Sequence, residues 1–230
     1  EGRVLRDVRN LDAPGEYNNN PANILYDILT NRRYGLGKYI NPKGPIDNSN
    51  AYKFFDMASF CEFADYCDDM VTYKYYDSTD PSADENGYVT TTEKRFRLNM
   101  VLDTRFDAFD IISKICTTCR AAPLWIGNRI KIIIERDSDP VQLFSMGNIV
   151  KDSYEERYIS LPEIPNCIQA TILDQDADFA RLEISRTDLA RWDEPSLVKQ
   201  INLYGLTKIS RASRECIFAL KKAFATRRNI

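Results

Sequence analysis

The chain has 230 residues, 43% of them hydrophobic and 28% charged, and carries a formal net charge of −3. That length supports one large domain or two small ones with a real core, and the slight acidity argues against sequence-independent DNA binding, which needs a basic face. There is no histidine, which removes the commonest general base, the Ser-His-Asp and Cys-His nucleophile systems and His-containing metal sites, and no apolar run is long enough to span a bilayer.

The opening Glu1 has no charged-then-apolar leader behind it, so a piece of a longer protein is expected. Residues 3–8 read as a strand, followed by the polar turn cluster PGEYNNN. Asn20 is placed to cap a helix, with Pro21 at the first helical position. Ile24, Leu25, Ile28 and Leu29 give that helix an apolar stripe. After Asn31, Arg32 and Arg33 bring cations to its C-terminus, where Gly35 and Gly37 read as the permissive backbone that ends it. Phosphate binding by Arg32 and Arg33 is disfavoured, because anions gather at the opposite end of a helix.

After a Pro/Gly/Asn loop at 41–50, residues 54–70 read as helical. One face (Phe54, Met57, Ala58, Cys61, Ala64, Asp65, Asp68) is apolar early and acidic late, and Ser59 is placed to cap a second helix over 60–69. Asp68 and Asp69 read as solvated. Residues 71–76 and 88–102 form the arms of a long hairpin, with Phe96, Leu98 and Met100 on one face, joined by the acidic connection 77–87. An amphipathic helix over 106–122 turns Phe109, Ile112, Ile115, Cys116 and Cys119 inward. A tight hairpin over 124–136 turns on Gly127-Asn128.

Beyond this, short strands replace helices, over 140–145, 149–160, 166–188 and 198–205. Asp174, Asp176 and Asp178 match the start of a calcium loop. Phe179 stands where the sharp-turn glycine belongs and Ser185 where the bidentate Glu belongs, so a hairpin tip is the better reading. Residues 207–228 form a final helix, with Thr207 as cap and Ile209, Ala212, Ile217, Leu220 and Phe224 inward.

Of the cysteines, Cys116 and Cys119 are spaced as Cys-x-x-Cys but sit inside the predicted helix, where no helix N-terminus lowers a thiol pKa. A zinc site from Cys61, Cys67, Cys116 and Cys119 fails on the six-residue step from Cys61 to Cys67. All six, including Cys167 and Cys216, are expected to be free thiols without metal. The expected class is α+β: a helix/β-hairpin domain over 1–145, a small antiparallel, barrel-like β domain over 146–206, and a helix over 207–230 packing back on the first domain.

A resemblance accompanies these residues. Asn20, Pro21 and Ala22, then Tyr26, Asp27, Leu29 and Thr30, then Arg33, Tyr34, Gly35, Leu36 and Gly37, and later Tyr66, Cys67 and Asp68 resemble, in order, the hub segment of the tail tip attachment, or host-specificity, family of lambda-like siphophages. DSDPVQLFSMGNIVKDSY (137–154) and GLTKISRASREC (205–216) resemble later stretches of the same family. The 77–87 insert is longer than the family usually has before its Arg95-Phe96 equivalent.

The resemblance implies a structural, non-enzymatic part of a phage or prophage virion tail, assembled in the host cytoplasm. It would be a trimeric hub around the DNA path, contacting other tail proteins and linking the tube end to spike or receptor-binding parts. No cofactor, metal, membrane or specific nucleic-acid contact is implied. The lumenal surface is expected to be acidic or neutral, with Arg32, Arg33, Arg227 and Arg228 turned to solvent or to neighbouring protein. The alternatives are a carboxylate-based glycan hydrolase, which needs two carboxylates about 5–10 Å apart in a groove, and a receptor-binding module. The Tyr34–Gly37 corner reads as architectural, not reactive.

Overall fold

Helix α1 (Pro21–Thr30) is set by one buried side chain. Asn20 accepts from the Ala22 N–H through Oδ1 at 2.9 Å, as a cap should, and donates from Nδ2 to the Ala64 carbonyl at 2.9 Å. The same residue therefore starts α1 and ties it to α3 (Met57–Asp68). Between the two helices, Leu25 and Leu29 are buried, and Tyr26 meets Phe55 and Phe60 edge-on at 5.5 and 6.1 Å. This computed structural model describes residues 4–76, 79, 81–102, 107–145, 147–151, 153–160, 163–191, 193, 196–226 and 228–229.

The corner after α1 obeys a different rule from the one expected. The helix closes at Thr30, with Asn31 extended, and neither Gly35 nor Gly37 has a positive φ. Both are glycine because the chain passes too close for a side chain. A Cβ on Gly35 would lie 2.0 Å from the Ile28 carbonyl oxygen, and one on Gly37 2.0 Å from that of Thr30. The approach is held by Leu36 N–H to Ile28 O (2.9 Å) and Gly37 N–H to Asn31 O (3.1 Å). Gly37 then opens a second short helix, α2 (Gly37–Ile40). No cation lies in the last turn of α1, so Arg32 and Arg33 stand beyond the helix.

The opening strand is shorter than expected, β1 (Val4–Leu5) on β2 (Glu16–Tyr17). Helix α3 is a single helix that begins after Asp56. Ser59 does not cap it. Buried within the first turn, its Oγ donates to the Asp56 carbonyl and accepts from the Ile132 N–H at 3.1 Å, which joins the helix to the next hairpin. The buried face is Phe60, Phe63, Ala64, Tyr66 and Cys67, rotated from the predicted one, and Ala58 is exposed.

Strands β3 (Met70–Tyr76) and β4 (Tyr88–Lys94) form the expected antiparallel pair, but β4 stops at Lys94. Residues 95–100 continue as single chain threaded through the core. Phe96 N–H bonds Cys67 O, Leu98 N–H bonds Asn19 O, and Asn99 N–H bonds Gly205 O. Helix α4 (Ala108–Thr118) is capped by Asp107 and buries Ile111, Ile112, Ile115 and Cys116, while Phe109 in the first turn is exposed. Cys119 lies at the helix end, not inside it. The β5 (Ala121–Ile126) and β6 (Arg129–Ile134) hairpin turns on Gly127 and Asn128, both with positive φ, as expected of a two-residue loop.

In the second half no strand forms over 140–145, and the side chains there are exposed. Two-residue strands β7 (Arg157–Tyr158) and β11 (Arg228–Asn229) pair with each other. Strand β8 (Cys167–Asp174) is central in an open three-stranded sheet, antiparallel to β9 (Ala180–Thr187) and parallel to β10 (Val198–Asn202). The α+β class holds. The barrel does not: among the described residues the sheet stays open, because helix α5 (Ile209–Ala225) packs against β8 and β9 in place of further strands. Asp174 to Phe179 form the hairpin tip, with Asp178 and Phe179 at positive φ.

Helix α5 buries a face other than the predicted apolar one. Ala212 and Leu220 are inside, but so are Arg211, Ser213, Glu215 and Cys216, whereas Ile209, Ile217 and Phe224 are exposed. Thr207 is not its cap; its hydroxyl accepts from Asn99 Nδ2 at 3.0 Å and its carbonyl from the Gln175 N–H at 2.9 Å. One continuous buried cluster runs from Val8 through α1, α3 and α4 to the sheet and Leu220.

Gly35→Ala should lower stability by about 1–3 kcal/mol, the usual cost of forcing an extra group into closed packing. Gly44→Ala, with nothing within 4 Å of the new methyl group, serves as the control. Urea unfolding midpoints that match for the two variants would refute the close-approach explanation.

Candidate functional site

The residues Asn20 to Gly37 converge on a hydrogen-bonded corner. The Tyr34 hydroxyl donates to Asp27 Oδ2, Asn31 Oδ1 accepts from the Arg33 N–H at 2.9 Å, and Leu36 packs on the core. Arg32 does not point outward as expected: its Nη1 donates to the Asn41 carbonyl at 2.7 Å and to the Gly44 carbonyl, binding the corner to the next loop. Arg33 is exposed. Arg227 and the side chain of Arg228 lie outside the described residues. Tyr26 is pushed up to about 12, chiefly by burial and then by Asp47.

Tyr66, Cys67 and Asp68 form a second knot at the end of α3. Asp68 is not solvated. It meets Arg97 at 2.6 Å, Arg9 at 2.9 Å and Lys94 at 3.3 Å, and Arg9 also meets Asp7 at 2.6 Å and Asp65 at 3.0 Å. Asp69 pairs with Arg95 at 3.3 Å. The Arg95 guanidinium lies 4.5 Å from the centre of the Tyr66 ring. Burial alone would push the Asp68 carboxyl up, but Arg97, Arg9 and Lys94 hold it below the usual carboxylate value. Asp7 is also lowered, first by its hydrogen bond to Arg9.

The third knot was not legible from the sequence. Arg120 donates from Nε and Nη2 to the two carboxylate oxygens of Glu215 at 2.9 and 2.8 Å, and its guanidinium lies 3.7 Å from the Phe218 ring centre. Their side chains are 16% and 6% exposed, so this is a bidentate pair largely out of water. Glu93 meets Arg214 at 3.1 Å and Arg211 at 3.5 Å on the same helix, and Lys222 meets Glu135 at 2.6 Å.

All six cysteines are unpaired. Burial and the neighbouring Cys67 push the Cys116 thiol up to about 12, Cys119 is raised well above its ordinary value, and Cys216 goes up to about 11. These thiols are protonated near neutral pH and are poor nucleophiles. Among the described residues no group of three or more Cys, Asp or Glu side chains is arranged to hold a metal ion. No helix among them is long and apolar enough to cross a membrane. What the three knots do chemically is hold elements together.

No family model matches the chain. Over 139 residues, 60% of its length, it is 29% identical to the tip attachment protein J of Escherichia phage SECphi27. The chain spans only 10% of the length of that relative. This similarity to a phage tip attachment protein supports the family that the Asn20–Gly37 motif resembles.

Two outcomes are expected. Glu215→Gln, which leaves the Arg120 charge buried without its partner, should cost about 3–5 kcal/mol in urea unfolding, and a loss near zero would show that the pair is dispensable. Because the Asp68 and Asp7 values are lowered on folding, their contribution is complete above the unfolded carboxylate value and is lost as pH falls through the folded one. Stability should therefore drop below about pH 4, and Asp68→Asn should flatten that acid limb. An unchanged acid limb in the variant would contradict the assignment.

Proposed function

We propose that this chain is a hub segment of a phage tail tip, a structural part that joins the end of the tail tube to spike or receptor-binding components and surrounds the path of the DNA. The similarity to a tip attachment protein carries the reading. The way the motif residues are used is consistent with it, since Asn20, Asp27, Tyr34 and Asp68 are engaged in holding helices and loops together. In this reading residues 1–145 make the hub body, 146–206 a β unit beside it, and 207–230 the helix that closes the two. The chain is not an enzyme, and it works with other tail proteins as a homotrimer in the virion, after assembly in the host cytoplasm.

The charge arrangement favours a conduit over a nucleic-acid binder. Arg9, Arg95, Arg97, Arg120, Arg211 and Arg214 are each paired with a carboxylate of the same chain. Little cationic surface is left from these residues to hold phosphates in a chain of net charge −3.

The test uses the full-length parent. Its mass in solution should be that of a trimer, and the chain should not bind duplex DNA tightly at low salt. A parent that stays monomeric at high concentration would count against the ring, and salt-sensitive tight DNA binding would sink the conduit. Release of soluble fragments from purified peptidoglycan would instead favour the carboxylate hydrolase.

A further inference from the structure

The three-stranded sheet ends in an open edge. Strand β10 pairs with β8 on one side and with nothing on the other among the described residues. The Leu197 carbonyl accepts from the Cys167 N–H at 3.3 Å, and the bonding direction alternates along a strand. Lys199 and Ile201 therefore bond β8, while the N–H and carbonyl groups of Val198, Gln200 and Asn202 point away from it. No hydrogen bond reaches these outward groups among the described residues, and all three residues are exposed. Such a row is a template for a further strand. A groove of ≈ 570 Å³ opens beside its first residues, lined by Val198, Lys199 and Gln200 and by Glu163 and Pro165.

The same chain carries a strand-like segment without a sheet. Residues 140–145 read as a strand in the sequence, yet none forms there. Val141 is 98% exposed, Leu143 81% and Phe144 68%. Pro140 biases Asp139 towards extended backbone, which lowers the ordering cost of laying the segment down as a strand. Charge completes the match. Asp137 and Asp139 precede the segment and Lys199 lines the groove, and none of the three has an ion-pair partner among the described residues.

We infer that residues 140–145 of one copy of this chain add to the β10 edge of a second copy as a fourth strand. Their main chain bonds the free groups of Val198, Gln200 and Asn202, and the carboxylates ahead of them meet Lys199. Both halves of the contact stand unsatisfied on the one chain, which selects a second copy over a partner of other composition. The contact joins two different patches, so repeated head to tail it can close a ring. It gives the proposed trimer a contact, and the choice of a second copy rests on that reading as well.

The test mixes two variants of the full-length parent, one with Val141→Cys and one with Gln200→Cys. A short bismaleimide bridge between these two positions can form only between copies, and mass spectrometry of the digested product locates it. The bridge is expected in the mixture and absent when either variant is treated alone. Leu143→Asp, added to the first variant at a side chain outside the core, should cut the yield roughly tenfold, the loss of one buried leucine contact. Lys199→Glu in the second variant should lower the yield too, and Asp139→Lys in the first should restore it. A trimeric parent that gives no such bridge, or a yield that these substitutions leave unchanged, would overturn the strand contact and leave the ring standing. A parent that stays monomeric at high concentration would overturn both.

Discussion

Much of this fold hangs on the pair between Arg120 and Glu215, 95 residues apart. Arg120 has a φ of 56°, in the left-handed region that usually takes glycine or asparagine after a helix. The backbone there ends α4 and starts β5, and its carbonyl accepts from the Glu135 N–H at 2.7 Å, where β6 leaves. Its side chain then reaches α5. One residue therefore fixes where four elements meet. The cost of an arginine in that conformation, and of taking two charges out of water, is offset only because the bidentate geometry and the Phe218 face are both present.

The parts of the structure that could be read in the sequence are those decided within a few residues. Asn20-Pro21 announces a helix start, and Gly127-Asn128 a tight turn, because the physics of each is local. The failures share one cause. Ser59 looks like a cap because its role as an acceptor for Ile132 comes from a strand more than seventy residues away. Asp68 looks solvated because Arg9, Lys94 and Arg97 are brought to it only by folding. The α5 prediction chose Ile209, Ile217 and Phe224 by hydrophobicity, while the inward face was decided by where Arg120 and Glu93 wait for charged partners. Gly35 and Gly37 read as permissive backbone, but what they provide is room for a close approach of two chain segments, which no local pattern announces.

The residues that carry the family resemblance divide between two knots, one at the corner after α1 and one at the end of α3, linked through Asn20 and the Ala64 carbonyl. The apolar side chains left outside the core tell a complementary story. Val141, Leu143, Phe144 and Val150 are 68–98% exposed along one irregular stretch, which leaves this chain with surface suited to contact other proteins.

The parallel pairing of β10 with β8 bears on how the chain reaches this state. The β8–β9 hairpin joins neighbours in sequence and closes a short loop. Strand β10 must travel past β9 to reach the other edge of β8, so closing its loop costs more chain entropy than closing the hairpin. Both β9 and β10 are edge strands, but β9 also packs against α5, so β10 is the edge that local opening releases first. Amide exchange should then be graded across the sheet, fastest in β10 and slowest in β8.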